Sequence, residues 1–398
     1  MARATPDADL SAVPPPRRAA GWRERWLAFR HRLVARPAFQ RWAAGFPLTR
    51  PVAQRNARAL FDLCAGFVYA QVLFACVRLD LFRMLADGPL PPETVAGRAG
   101  LPPDSARLLL RAAASLDLLT PLPDGRYALA DLGAALLGNP GVAAMITHHA
   151  MLYDDLRDPV ALLRREGGPT RLAAYWGYAG AADPAGLPEE ATGPYSALMG
   201  TSQALIAGDI LDAWPLARHR RLLDIGGGEG AFAIAALRRH PQLRLTLFDL
   251  PPVAARARAR FAAEGLAERA EAVGGSFHAG LPPGADAVSL VRVVHDHDDA
   301  PALALLRAAH AALAPGGTLL LAEPIAGTPG AEPVGDAYFG FYLLAMGSGR
   351  PRTAADLAGM LARAGFSAVR EVPTRRPMLT RLLVAERPPG QRVSHQHV

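Results

Sequence analysis

The chain has 398 residues, 51% of them hydrophobic, enough for two or three domains with ample core, which excludes a wholly disordered protein. The formal net charge is +7, but residues 17–41 hold eight arginines against one acid, Glu24, so the basicity belongs largely to an N-terminal arm. Two cysteines, Cys64 and Cys76, exclude a disulfide framework and read as reduced core thiols; no zinc spacing occurs and the N-terminus lacks a signal-peptide h-region, so a cytoplasmic location is expected.

Residues 1–20 are rich in Pro and Ala and read as disordered. From Trp22 to Val34, Trp22, Trp26, Phe29 and Leu33 recur at i, i+4, i+7 and i+11, one face of a basic helix. Such a helix either lies on an anionic membrane surface or packs on the protein's own body, and the arm 21–42 is open to both readings. The arm ends near residue 55. Leu63 to Val77 is an apolar run of 15 residues that contains Gln71 and is bounded by Asp62 and Arg78. A membrane span needs about 20 apolar residues. The run therefore predicts a helix over 59–86, apolar all round, buried at the interface of a homodimer.

Residues 56–165 form a predicted helical domain with a small wing. Pro92 opens a short helix, Asp104 is placed to N-cap the next, and Ser105 to Leu119 is amphipathic. Asp124-Gly125 then signals a hairpin. This is a winged-helix order, so DNA binding has to be weighed. Across 91–130 the cations Arg98, Arg107, Arg111 and Arg126 are matched by Glu93, Asp104, Asp117 and Asp124. A duplex reader needs a basic face to neutralise phosphates, so no nucleic-acid partner is expected.

Residues 166–388 read as the catalytic domain. Gly- and Pro-rich 166–193 is a linker or lid, and 195–213 is a helix. Then comes Arg-Leu-Leu-Asp-Ile-Gly-Gly-Gly-Glu-Gly-Ala over 221–231: a buried strand ending at Asp224, a turn through Gly226, Gly228 and Gly230, and a helix ending before Pro241. Strand, glycine turn and helix N-terminus make a cofactor cradle at the carboxyl edge of a parallel sheet. Asp249 ends the next strand, near the spacing at which an acid reaches a ribose diol. Gly226-x-Gly228-x-x-Ala231 is open to a dinucleotide. Asp224 favours S-adenosylmethionine (SAM), because a carboxylate there repels a pyrophosphate but serves the ammonium of a methionine. Further strands are expected at 270–274, 287–293, 317–323, 367–372 and 378–386, the last two antiparallel. Thr353 and Asp356 suggest a capping box. The tail 389–398 reads as disordered, with His395 and His397 solvated.

Two strands deliver chemistry to that same edge. The fourth brings His295-Asp296-His297-Asp298-Asp299, and the fifth brings Glu323, whose carboxylate can orient a histidine. Methyl transfer to oxygen needs a positioned base, and histidine is the residue most often used. The same cluster is open to a metal site, or to an N-cap for the following helix through Asp298, Asp299 and Pro301.

Asp-Ile-Gly-Gly-Gly-Glu-Gly, Phe-Asp-Leu-Pro, Gly-Gly-Ser-Phe, Arg-Val-Val-His-Asp, Leu-Leu-Ala-Glu and Gly-Arg-Pro-Arg-Thr, in that order, resemble the SAM-dependent O-methyltransferases of the caffeate/hydroxyindole type over about residues 56–386. The resemblance implies an α/β chain: a Rossmann-like domain with a seven-stranded mixed sheet, behind an N-terminal winged-helix dimerisation domain. It implies SAM as cosubstrate and no metal. The general base falls on His295 beside Asp296, and its orienting acid on Glu323. Cofactor contacts fall on Gly226, Asp249 with Leu250, Ser276, Phe277, and Arg292 beside Val291. The chain departs from the common pattern in three places: His297 stands where many members have Trp, Ser276 where many have Asp, and Pro351 where many have a second acid. Within the family, the segment from Phe61 to Leu73, the segment from Pro194 to Met199 and the Arg-rich arm resemble the branch that methylates bacterial carotenoids. That implies a small apolar hydroxylated acceptor, a tertiary alcohol on a long polyene, in a pocket near Met145, Met199, Phe341 and Met346. An aromatic polyketide or phenol is the other acceptor considered, and a ligand-sensing DNA-binding regulator the alternative from another class.

Overall fold

The computed structural model describes residues 21–176, 203 and 206–389; Met199, the 194–199 segment, His395 and His397 lie outside them. The chain divides into two compact units, 1–72 and 73–398.

In the first unit, helix Trp22–Val34 is followed by helix Pro37–Gly45, and Pro37 at its first position supplies the φ that a helix start requires. Thr49 Oγ1 donates to the Ala43 carbonyl (2.8 Å), and a 29-residue helix, Arg50–Arg78, starts there and continues into the second unit. The sequence placed this helix at 59–86. It begins earlier and stops earlier, because Asp80 takes a left-handed φ of 55° before the short helix Leu81–Met84. Its apolar side is not buried within one chain. Leu60, Phe61, Leu63 and Phe67 are exposed, and by length and composition alone the helix could cross a membrane. Cys64 lies exposed on it, against the expectation of a core thiol, whereas burial pushes the Cys76 thiol up to about 12.

The second unit opens with the winged-helix order. Helices Pro92–Ala99 and Pro103–Ser115 lead into the hairpin β1 (Leu119–Pro121) and β2 (Tyr127–Leu129), which turns at Gly125 (φ 85°). Leu90 pairs with Tyr127 through an isolated antiparallel bridge. Two sequence expectations are corrected here. Asp104 is not the N-cap, a position Pro102 occupies; it sits in the first turn and pairs with Arg107 (2.9 Å). Leu119 belongs to β1 rather than to the helix. Arg107 also pairs with Glu93 (2.7 Å) and Arg126 with Asp124 (2.7 Å), so two of the four cations weighed as a phosphate-binding face are already engaged.

The catalytic sheet has seven strands: β3 (Arg221–Ile225), β4 (Arg244–Asp249), β5 (Ala270–Gly274), β6 (Ala285–Val291), β7 (Leu313–Glu323), β8 (Ser367–Val372) and β9 (Arg381–Glu386). Their order is β5-β4-β3-β6-β7-β9-β8, and β9 alone runs against the rest. Period-two alternation splits the core into two layers. Leu222, Leu245 and Leu320 pack with Phe232, Phe261 and Ile210 on one face. Leu223, Leu290 and Leu319 pack with Leu305 and Leu361 on the other. Each such side chain contributes roughly 1.5–3 kcal/mol by leaving water. With both faces covered, function is left to the strand ends. The capping box is present: Thr353 Oγ1 accepts from the Asp356 N–H and Asp356 from the Thr353 N–H.

Candidate active site

At the carboxyl edge the chain leaves β3 through Gly226, Gly228 and Gly230, with φ of 65°, 58° and 83°. A Cβ on Gly226 would come within 2.7 Å of Val293, so that position is closed by packing, whereas a Cβ on Gly228 would meet nothing within 4 Å. The loop therefore presents open backbone at Gly228, above the N-terminus of helix Ala231–Arg239. Asp249 ties the loop to β4: Oδ2 accepts from Gly228 N–H (2.8 Å) and Oδ1 from Leu250 N–H (2.7 Å). Burial raises the Asp249 carboxyl, and those two N–H groups oppose the shift. The β5 end joins the same cluster, since Gly275 N–H donates to the Asp249 carbonyl (2.9 Å) and half-buried Ser276 and Phe277 follow.

Asp224 lies lower, in β3, 1% exposed. Oδ1 accepts from Ser289 Oγ (2.6 Å), while the buried Oδ2 has no hydrogen-bond partner. Burial pushes this carboxyl up to about 7, with the neighbouring Asp249 charge acting the same way. A buried anionic oxygen without a donor, beside an open glycine loop, suits a cation, as the ammonium of a methionine is. The residues present thus fit SAM.

The base candidate sits where β6 and β7 end. Glu323 is held on one side, Oε1 accepting from Val293 N–H (3.0 Å) and Val294 N–H (2.7 Å). Its Oε2 meets His295 Nδ1 at 2.5 Å. His295 Nε2 faces Asp296 Oδ1 at 3.1 Å. Burial works to lower the His295 pKa, but Asp296 and Glu323 outweigh it and the net shift is upward. Both carboxylates favour the protonated ring. In front of it is a cavity of about 10 Å³, room for roughly one water, lined by Met145, Arg292, Tyr338, Phe339 and Tyr342 among others. Arg292 leaves β6 with a left-handed φ of 58°, uncommon for a residue with a Cβ.

Of the expected pocket residues, Met145 reaches this cavity. Met346 instead belongs to the core with Leu152 and Leu172, and Phe341 is not on the cavity lining. The adjacent residues Tyr338, Phe339 and Tyr342 take their place. His297 follows His295 by two residues. It is half-buried against the Phe277 ring (5.4 Å, edge-on), and burial followed by the His295 charge pulls it down to about 4.

Two arrangements escaped the sequence reading. Arg352, 2% exposed, donates to the carbonyls of Val294 (2.9 Å) and His297 (2.8 Å) and to Asp299 (2.8 Å), so it clamps the turn that carries His295. Arg350 N–H also donates to the His295 carbonyl (3.0 Å). The Gly-Arg-Pro-Arg-Thr motif thus holds the turn through arginines and backbone, with Pro351 where an acid is common. Behind the cavity, Tyr342 Oη meets His148 Nε2 (2.8 Å) and accepts from Trp176 Nε1 (3.1 Å), while Tyr338 Oη meets His149 Nε2 (2.8 Å). Burial pulls His148 down to about 4 and lowers His149, and both rings serve the phenols as hydrogen-bond partners.

A family model for the O-methyltransferase domain matches residues 153–367 and one for the O-methyltransferase dimerisation domain matches residues 61–139. The chain belongs to this family of SAM-dependent O-methyltransferases. It is 44% identical to the demethylspheroidene O-methyltransferase of Cereibacter sphaeroides, covering 90% of this chain and 94% of that protein. The enzyme of the same name from Rhodobacter capsulatus is 41% identical (86% and 85% covered), and mouse acetylserotonin O-methyltransferase 33% identical (80% and 85%). Among solved structures, a methyltransferase of calicheamicin biosynthesis in its S-adenosylhomocysteine-bound form superposes with a TM-score of 0.70 at 28% identity, covering 84% of this chain and 98% of that one. SAM is the cosubstrate of this methyltransferase. Among the described residues no group of three or more His, Cys, Asp and Glu is placed to hold a metal ion.

With Asp249 anchoring the glycine loop, Asp249→Ala removes an acceptor from two backbone donors at once. Each hydrogen bond to a charged group is worth about 1.5–3 kcal/mol, so SAM affinity is expected to fall more than tenfold by calorimetry. Unchanged affinity would remove Asp249 from the cofactor site.

Proposed function

We propose that this methyltransferase acts on the hydroxyl of an apolar acceptor, a 1-hydroxy carotenoid of the demethylspheroidene kind, with His295 as general base. The observation that carries the base assignment is the His295–Glu323 pair at 2.5 Å, opening on a cavity walled by aromatic rings. The acceptor assignment rests on the relatives of that name at 44% and 41% identity. When bound, SAM supplies a methyl group on a sulfonium and departs as a neutral thioether. Glu323 fixes the Nδ1–H tautomer of His295, and Nε2, which Asp296 Oδ1 faces at 3.1 Å in the SAM-free chain, takes the acceptor's proton once the acceptor hydroxyl displaces that contact. As the C–O bond forms, the O–H bond breaks and its proton goes to Nε2. The aromatic wall leaves room for little water, which suits a reaction in which the sulfonium charge is lost.

Incubation with SAM and either a detergent-solubilised hydroxy-carotenoid or a series of simple phenols, read by mass spectrometry, tests the acceptor. A gain of one methyl on the carotenoid is expected. Methylation of phenols alone would transfer the chain to the aromatic-acceptor reading.

We assign the subunit contact of the homodimer to the apolar side of helix Arg50–Arg78. Leu60, Leu63 and Phe67 fall at i, i+3 and i+7 on it, are 70%, 83% and 72% exposed, and lie at or beside the start of the dimerisation match. Phe67→Arg should give monomers in sedimentation at micromolar concentration. A wild-type monomer at that concentration would rule the contact out. A polyene acceptor resides in membrane, so peripheral contact through the arm 21–42 belongs to the same reading.

A further inference from the structure

We infer that the lipid contact is a two-helix patch over residues 22–48, lying in the plane of the membrane and selecting anionic lipid. This extends the reading of the arm as a membrane contact, and its tests are separate from turnover on solubilised acceptor. On helix Trp22–Val34, 100° per residue places Trp22, Trp26, Phe29 and Leu33 in one narrow stripe. The same rotation puts Arg23 and Arg30 along one border of the stripe and Arg25 and Arg32 along the other. None of the helix is buried; Trp22 is 78% exposed, Trp26 54% and Phe29 59%. Arg30 stacks over the Trp26 ring at 5.6 Å. After the break at Pro37, the second helix adds a run of rings: Phe39 and Trp42 centroids lie 5.5 Å apart, Trp42 and Phe46 5.1 Å. Trp42 and Leu48 remain 52% and 81% exposed. From Gly21 to Arg58 the chain holds nine arginines and one acid.

Apolar rings between rows of arginine are what an interfacial segment needs: the rings enter the acyl boundary and the guanidiniums reach the headgroups. Two other occupants fit less well. A second copy seated on the same patch would set the arginine rows against one another. A duplex matches the charge but offers no apolar phase for Trp22, Trp26 and Trp42.

The full-length enzyme should float with vesicles containing phosphatidylglycerol at low salt, about tenfold more than with pure phosphatidylcholine, and salt should release part of it. A blue shift of tryptophan fluorescence should accompany floating. Trp22→Ser/Trp26→Ser/Phe29→Ser should stop floating, and Trp42→Ser/Phe46→Ser should weaken it, with SAM affinity unchanged in both. Full-length protein that stays unbound at low salt overturns the proposal. So does floating that ignores the ring substitutions, which would be charge attraction alone. A lipid-free oligomer dissolved by the triple substitution would assign the patch to a second copy, and duplex DNA shifted as strongly as lipid would assign it to phosphate.

Discussion

His295→Ala is expected to lose at least about a hundredfold in turnover while SAM affinity stays within twofold or so, because a positioned base typically contributes 10²–10⁴-fold. A tertiary alcohol is too weak an acid to ionise beforehand near pH 7. Its proton has to leave as the methyl arrives, and Nε2 of His295 is the ring nitrogen that Glu323 does not occupy. Glu323→Gln should fall between wild type and His295→Ala. The amide can still accept from Val293 and Val294, but its NH₂ then faces Nδ1 and favours the wrong tautomer. The pH profile gives a second readout. His295 carries a raised pKa, and the base works only when Nε2 has shed its proton, so activity should fall as pH drops through a value above the ordinary 6.5. Glu323→Gln removes one of the two carboxylates that raise it and should move that limb to lower pH. His297→Ala should keep turnover near wild type and lose some SAM affinity, since its ring packs on Phe277. If His297→Ala is the dead variant and His295→Ala the active one, the roles are reversed.

The sequence makes this pair legible because Glu323 ends one strand and His295 lies in the turn that follows another. Apolar residues on both faces, as at Leu222 and Leu223, mark buried parallel strands, and once β6 and β7 are adjacent, His295 and Glu323 must share an edge. The clamp was not legible. Arg352 meets the His295 turn across 58 residues of chain, and no local pattern distinguishes that arginine from a solvated one. Nor was the pocket wall, where His149 and Tyr338 are 189 residues apart. Periodicity marks one helix face as apolar but does not say which of Phe339, Phe341, Tyr342 and Met346 turns toward the cavity. The helix at 59–86 failed in part for another reason. Its bounds were missed, and at the C-terminal end they depend on Asp80, whose left-handed φ of 55° stops the helix at Arg78 and which no local pattern marks.

Asp224→Asn should stabilise the SAM-free protein above pH 7 and weaken its hold on SAM. The carboxyl is wholly buried, takes one hydrogen bond from a neutral hydroxyl and leaves Oδ2 without a donor, so its charged form is costly. Asp249 adds a second buried carboxylate from the neighbouring strand, and Arg256, which pairs with Glu229 at 3.1 Å, acts on Asp249. A folded pKa of about 7 against an ordinary 3.8 is a gap of roughly three units, on the order of 4 kcal/mol at 1.36 kcal/mol per unit. The sign follows from the direction. The folded state holds this proton more tightly than the unfolded chain, so the associated stability is complete below about pH 4 and is lost as pH rises through about 7. Asparagine accepts the same Ser289 hydroxyl and carries no charge, so the variant should lose that part of the decline, and the gap between the two proteins should widen from pH 5 to pH 8. A cationic methionine end reverses the preference, since beside a positive charge the ionised carboxylate is the favoured form. SAM should therefore bind wild type more tightly as pH rises through 7 and release a fraction of a proton, measurable by calorimetry in two buffers of different ionisation enthalpy. Asp224→Asn should bind SAM more weakly, with the ligand's own ionisation as its remaining pH dependence. Denaturation curves that stay parallel across this range, together with equal proton release in the two proteins, would mean that Asp224 is ionised throughout and that its charge is met by a group other than the cofactor.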